Sequence, residues 1–291
     1  MSVLIVIPAR LKATRLPNKP LADIAGVPMI VQVMRRAEES GVGEVIVACD
    51  GEEIAQAVRA AGGVAVITDP DHPSGSDRVW EVVERMACEG PRDSVVPLPL
   101  RERLGEGALN QNASLSNPLT QPSPARGEGS PGAMALPQTK YDIIINLQGD
   151  LPTFDPKLLH DLLAPLENPL VDIATLAAQI TRAEEHESPS VVKAVIALKD
   201  NEKTGRALYF TRCTAPANAG PRYHHIGVYA YRFEALKTFV SLPPSPLELR
   251  EKLEQLRALE AGLRIDVAVV DTVPLGVDTP EDLQRARELL Q

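Results

Sequence analysis

Arg10, Lys12, Arg15 and Lys19 put four cations within ten residues, directly behind the apolar run Val3-Leu4-Ile5-Val6-Ile7. Such a run reads as a strand buried on both faces, and Pro8, which has no N–H to donate, is expected to end its ladder. A buried parallel strand opening into a basic loop puts positive charge at the carboxyl edge of a sheet, where α/β proteins bind ligands. Prolines at 8, 17 and 20 stiffen the loop, so its charges are held in place beforehand. The chain as a whole has a formal net charge of −9, so the cluster is locally out of character. A polyanion such as a nucleoside triphosphate suits it. The plain alternative is a solvated surface loop.

Anion chemistry of this kind calls for acids at the same edge. Asp150 follows a buried strand expected over residues 142–147, in Gln148-Gly149-Asp150, where Gly149 permits close backbone approach. Taken alone, a strand-ending Asp is a turn former. Asp278 lies in Gly276-Val277-Asp278-Thr279-Pro280. It could cap the final helix, but Thr279 can serve as the cap instead, since Pro280 and Glu281-Asp282 follow it suitably. Pro73-Ser74-Gly75 precedes a helix and offers backbone N–H groups at a positive helix end. In Tyr223-His224-His225-Ile226-Gly227-Val228-Tyr229-Ala230-Tyr231, alternation separates His225, Gly227, Tyr229 and Tyr231 from an apolar set, as in a half-exposed strand. Glu254 and Gln255 flank the apolar stripe of a helix expected over 245–260, ordinarily a solvated position.

Together these motifs resemble a known family. Ile7-Pro8-Ala9-Arg10, then Arg15-Leu16-Pro17 and Lys19-Pro20-Leu21, are similar to the signature loop of sugar-activating nucleotidyltransferases. The later motifs most resemble the 3-deoxy-manno-octulosonate (Kdo) cytidylyltransferases. The resemblance implies the nucleotide-diphospho-sugar transferase fold, a homodimer, and transfer of CMP from CTP to Kdo with Mg²⁺ for lipopolysaccharide assembly. Joining an alcohol to the α-phosphorus of a triphosphate is commonly achieved by positioning with cations and Mg²⁺. Mg²⁺ prefers one or two carboxylates besides phosphate oxygens and waters.

Carried onto this sequence, the resemblance implies that Pro8, Ala9, Arg10, Arg15, Lys19, Ser74, Gly75, Gln148 and Asp150 bind nucleotide, with Arg78 a further candidate. Asp150 and Asp278 would hold metal, and both would act with Arg10 and Lys19 in catalysis. His225, Tyr229, Glu254 and Gln255 would line the sugar pocket. Arg212 would pair with the sugar carboxylate, because Arg suits planar two-pronged contacts. Leu151-Pro152 stands where the family often has Glu-Pro, and Cys213 and Ala217 also depart from its common residues. The rival readings are a cytidylyltransferase for another acidic sugar, such as sialic acid, and a nucleotide-binding homologue without catalysis.

The elements that must position these residues alternate along the chain. Helices are expected over 28–39, 51–61, from the Pro-Ser-Gly turn to about residue 86, and after Thr279. Strands are expected over 44–48, 64–67, 171–178, 191–198, 207–210 and 263–270. This rhythm gives right-handed crossovers and a Rossmann-like, mostly parallel mixed sheet flanked by helices. Residues 91–139 break it. These 49 residues hold eight prolines, five glycines and no aromatic, too little apolar surface to offset ordering entropy. They read as a disordered insertion in a single α/β domain spanning residues 1–291.

The totals exclude other classes. An acidic chain lacks the broad basic surface that nucleic acid requires. No Walker A sequence or Gly-x-Gly-x-x-Gly behind a strand is present. Three widely spaced cysteines suggest a reducing compartment. The apolar start is too short for a signal-peptide core, and no run approaches the roughly 20 apolar residues of a membrane span. A cytoplasmic protein without a membrane partner is expected.

Overall fold

The computed structural model describes residues 1–11, 16–89 and 140–290, with 88 and 89 by backbone alone. The first half runs β1 (Val3–Ala9), a short hairpin of β2 (Asp23–Ile24) and β3 (Val27–Pro28), α1 (Met29–Glu39), β4 (Glu44–Cys49), α2 (Glu52–Ala60), β5 (Val64–Ile67) and α3 (Gly75–Glu89). The chain resumes with β6 (Ile143–Asn146), α4 (Lys157–Leu163), β7 (Ile173–Gln179), α5 (Ala183–Glu187), β8 (Lys193–Ala197), β9 (Thr204–Thr211) and β10 (Tyr223–Arg232). It ends with α6 (Phe233–Ser241), α7 (Pro246–Glu251), α8 (Gln255–Glu260), β11 (Ile265–Val270) and α9 (Pro280–Leu289).

Nine strands form one sheet in the order β5-β4-β1-β6-β10-β7-β11-β9-β8. The half containing β5, β4, β1 and β6 is parallel throughout, so the carboxyl ends of all four strands share one edge. Beyond β6 the expectation of a mostly parallel sheet is corrected. There β10 runs antiparallel to β6 and β7, and β9 antiparallel to β11 and β8, while β7 and β11 are parallel. The link between β8 and β9, residues 198–203, is too short for a parallel crossover. β10 also meets β8 through Tyr223↔Ala194 and His224↔Lys193, which closes β10, β7, β11, β9 and β8 into a ring.

Pro8 does not end β1 as expected. The ladder to β4 continues through Pro8↔Ala48 and Ala9↔Cys49. The side facing β6 stops at Val6↔Asn146, with Leu147 N donating to Val6 O at 3.1 Å. By alternation Pro8 faces that same side, past the end of the ladder, so its missing N–H breaks nothing.

The helix expected over 245–260 is two helices. Lys252 takes a left-handed conformation (φ 56°) between α7 and α8. Helices α4, α5 and α6 were not anticipated. One apolar cluster packs α1, α2 and α4 on one face of the sheet, and a second packs α3, α6 and α8 on the other. A third joins Val277, Leu283 and Ala286 to Ile24 and Met29, which seats α9 on the β2–β3 hairpin and the start of α1. The segment 91–139, expected as an insertion, lies outside the described residues. Lys140 and Asp142, just beyond it, sit at the amino edge of the sheet, where Ser2 N donates to Asp142 at 2.7 Å and Lys140 pairs with Glu44 at 2.9 Å.

Candidate active site at the carboxyl edge of the parallel strands

A cavity of about 480 Å³ opens at the carboxyl edge of β1, β4, β5 and β6. Pro8, Ala9 and Arg10 enter it from β1, Lys19 from the basic loop, Ser74 and Gly75 from the start of α3, and Gln148 and Asp150 from behind β6. Asp278 reaches it from the turn before α9. The structure thus brings together every nucleotide and metal residue inferred from the sequence except Arg15, which lies outside the described residues. His72, Pro73 and Arg78 also line the cavity.

Backbone contacts explain this convergence. Val277 N donates to Asp150 O at 2.9 Å, tying the C-terminal turn to the end of β6. A Cβ on Gly149 would lie 2.9 Å from Pro8 O, closer than atoms tolerate, so a side chain there would push β6 from β1. Leu11 N donates to Asp50 Oδ1 at 3.0 Å, which fixes where the basic loop begins. Thr279 caps α9, its hydroxyl accepting from Asp282 N at 3.2 Å. Asp278 is therefore spared that task, as expected.

At the cavity wall, Lys19 Nζ lies 2.8 Å from Asp150 Oδ2 and 3.0 Å from Asp278 Oδ1. Burial lowers the ammonium's pKa, but the two carboxylates outweigh it and the net shift is upward. Lys19 is thus cationic at neutral pH.

The same geometry tests the fit of Mg²⁺. Two carboxylates that converge on one ammonium present their oxygens to a single cation-sized point. Among the described residues no group of three or more His, Cys, Asp or Glu side chains is placed to hold a metal. A pair of carboxylates, with phosphate and water supplying the rest, is the set that Mg²⁺ ordinarily takes. Asp150 and Asp278 fit it.

None of the sugar residues inferred from the sequence lines this cavity. Gln255 is buried, and its Nε2 has no hydrogen-bond partner among the described residues, an arrangement that favours a ligand able to satisfy it. Glu254 accepts from Ser76 Oγ at 3.1 Å, and burial pushes its carboxyl pKa up. His225 does not stand on an open polar face as its alternation suggested. A bulge between Ile226 and Tyr229 breaks that alternation. His225 is buried, with Phe210 and Tyr229 at 4.8 and 5.5 Å between ring centroids and Nε2 3.0 Å from Thr175 Oγ1. Burial lowers its pKa to about 3.

Arg212 is held by main-chain carbonyls. Its Nε donates to Glu251 O, Nη1 to Pro189 O and Nη2 to Lys252 O. The carbonyls of Glu251 and Lys252 are left without helical partners where α7 ends, so this guanidinium braces the break between α7 and α8. Reading the sequence also missed Asp50, Asn146, Ser76 and Thr175. Asp50 carried a usable signal, since it follows a buried strand just as Asp150 does. The other three look like ordinary element residues until the fold places them.

Comparison with known proteins decides the family. The cytidylyltransferase family profile matches residues 4–98 and 133–265. A 3-deoxy-manno-octulosonate cytidylyltransferase of Paramagnetospirillum magneticum is 52% identical over 291 residues, covering 100% of this chain and 98% of its own. The protein of that name from Bradyrhizobium sp. (strain BTAi1) is 54% identical over 288 residues, covering 99% and 97%. This chain belongs to the 3-deoxy-manno-octulosonate cytidylyltransferase family. A solved structure of CMP:2-keto-3-deoxy-manno-octonic acid synthetase complexed with CTP superposes with a TM-score of 0.75 at 36% identity, covering 99% of this chain and 98% of that one. Family membership makes the chain a nucleotidyltransferase, and the cavity brings together cations, the start of α3 and a pair of carboxylates. No helix among the described residues is long and apolar enough to cross a membrane.

Proposed function

We propose that this chain transfers CMP from CTP to the anomeric hydroxyl of Kdo, releasing pyrophosphate, and that its product feeds lipopolysaccharide assembly in the cytoplasm. The observation that carries the reading is the convergence of Lys19, Asp150 and Asp278 at the mouth of the β1–β6 cavity, in a chain more than half identical to relatives named for this activity.

Arg10 and Lys19 neutralise the triphosphate, and the positive end of α3 faces its oxygens. Gln148 meets the base. Asp150 and Asp278 would hold Mg²⁺, which would supply charge neutralisation for the attacking and departing oxygens. Lys19, already touching both carboxylates, sits where the triphosphate must arrive and exchanges them for phosphate oxygens when it does. Glu254 and Gln255 take the sugar hydroxyls, and Tyr229 together with His225 backs their pocket. The reaction is thus driven by positioning and electrostatics without a covalent enzyme intermediate. A homodimer is proposed in keeping with the family.

Pyrophosphate release with CTP, Mg²⁺ and a panel of 2-keto sugar acids tests this directly. Kdo should exceed sialic acid in kcat/KM by at least about a hundredfold, or ~2.7 kcal/mol of transition-state discrimination. Equal turnover of the two acids would overturn the acceptor. No pyrophosphate with any acid would overturn catalysis.

A further inference from the structure

Two buried residues outside the nucleotide and sugar sets join the cavity to the sugar side. Asn146, the last residue of β6, and Ser76, in the first turn of α3, are each 2% exposed. Gln148 Nε2 donates to Asn146 Oδ1 at 3.3 Å, Asn146 Nδ2 lies 3.5 Å from Ser76 Oγ, and Ser76 Oγ donates to Glu254 Oε2 at 3.1 Å. Every donor in the series therefore points one way, from the cavity toward Glu254. A serine that accepts from Asn146 and donates to Glu254 has its hydroxyl hydrogen directed at the carboxylate.

We propose that Asn146 and Ser76 are positioning residues that hold the Glu254 carboxylate in register with Gln148, so that the sugar acid is seated at a set distance from the nucleotide. This rests on the reading of Gln148 as a nucleotide contact and Glu254 as a sugar contact. Buried, fully satisfied polar networks fix side-chain orientation because an alternative rotamer would leave groups unpaired. Ser74 also bonds to Glu254, the Arg257 guanidinium lies 3.9 Å away, and the Asp77 charge opposes its ionisation.

Ser76→Ala removes the final donor with little change in volume, and Ser76→Thr restores it. Asn146→Asp keeps an acceptor for Gln148 but cannot donate to Ser76. Steady-state kinetics with CTP and Kdo should show the Kdo KM raised at least tenfold in Ser76→Ala and Asn146→Asp, with the CTP KM within threefold. Ser76→Thr should return both to within threefold of wild type. A second readout needs no turnover: ¹³C NMR titration of the Glu254 carboxyl in the ligand-free protein. Losing the Ser76 bond should move its pKa upward in Ser76→Ala and leave it near wild type in Ser76→Thr. An unmoved Glu254 titration, or equal changes in both KM values, would overturn the proposal. Failure of the wild-type chain to use Kdo would instead overturn the functional reading, and the titration would still judge the Asn146–Ser76 relay.

Discussion

Lys19 and Asp150 touch across the mouth of the cavity, Nζ to Oδ2 at 2.8 Å, and the same ammonium reaches Asp278 at 3.0 Å. A lysine between two carboxylates keeps them together when no metal is present, since an ammonium offsets the repulsion of like charges. Asp150→Ala and Asp278→Ala should each lower kcat by roughly 10² or more, as expected for losing a major electrostatic contribution. Both proteins should remain folded, because the Asp278 side chain is 57% exposed and that of Asp150 32%. Chelation of divalent cations should abolish turnover in the wild type. A folded Asp278→Ala variant with near wild-type kcat at saturating Mg²⁺ would remove Asp278 from the metal site.

Burial holds His225 neutral, with a pKa of about 3 against an ordinary 6.5. Between those values the unfolded chain binds a proton that the folded chain refuses, so stability must fall as pH drops through that window. His225→Gln removes the group. The wild type should lose stability more steeply than the variant from about pH 6.5 toward pH 3, by up to ~1.4 kcal/mol per pH unit. Denaturant unfolding of both proteins at pH 7 and pH 4.5 measures this. Parallel pH dependences would show that His225 is protonated in the fold.

Gln255 offers a buried amide whose nitrogen has nothing to bond among the described residues. A ligand that accepts from it gains without having to break an existing bond. Gln255→Ala should therefore raise the Kdo KM about tenfold or more while the CTP KM moves less than threefold, a difference of at least ~0.7 kcal/mol between the substrates. Equal increases for both would place the sugar elsewhere.

The flanks of residues 91–139 bear on a deletion. Lys140 and Asp142 pack against the start of β1 and β4, at the edge opposite the cavity. Replacing residues 92–138 with a short Gly/Ser link should leave kcat and both KM values within about threefold, under 1 kcal/mol. A tenfold loss in a folded deletion variant would tie the segment to the site or to assembly.

The nucleotide half was legible in the sequence because its geometry is local. Arg10 follows a buried strand and Asp150 follows another, and parallel strands end at the same edge whatever happens elsewhere. The sugar half depends on contacts that no local pattern records. The bulge in β10 turns His225 into a buried ring, and the left-handed Lys252 splits the helix that bears Glu254 and Gln255. Arg212 fits a carboxylate by type, yet the break that Lys252 makes supplies carbonyls that hold it. Asn146 and Ser76 acquire their meaning from α3 and α8 meeting, a tertiary fact.

Lys19 and Asp278 meet across 259 positions of chain. A nascent chain leaving the ribosome carries the basic loop from the outset, but the second carboxylate that Lys19 touches comes only when residue 278 has been made. Contacts of such sequence separation are slow to form, so the parallel half can condense well before the site is complete. A truncated translation product that ends between β11 and residue 278 should then be a folded or partly folded triphosphate binder without turnover.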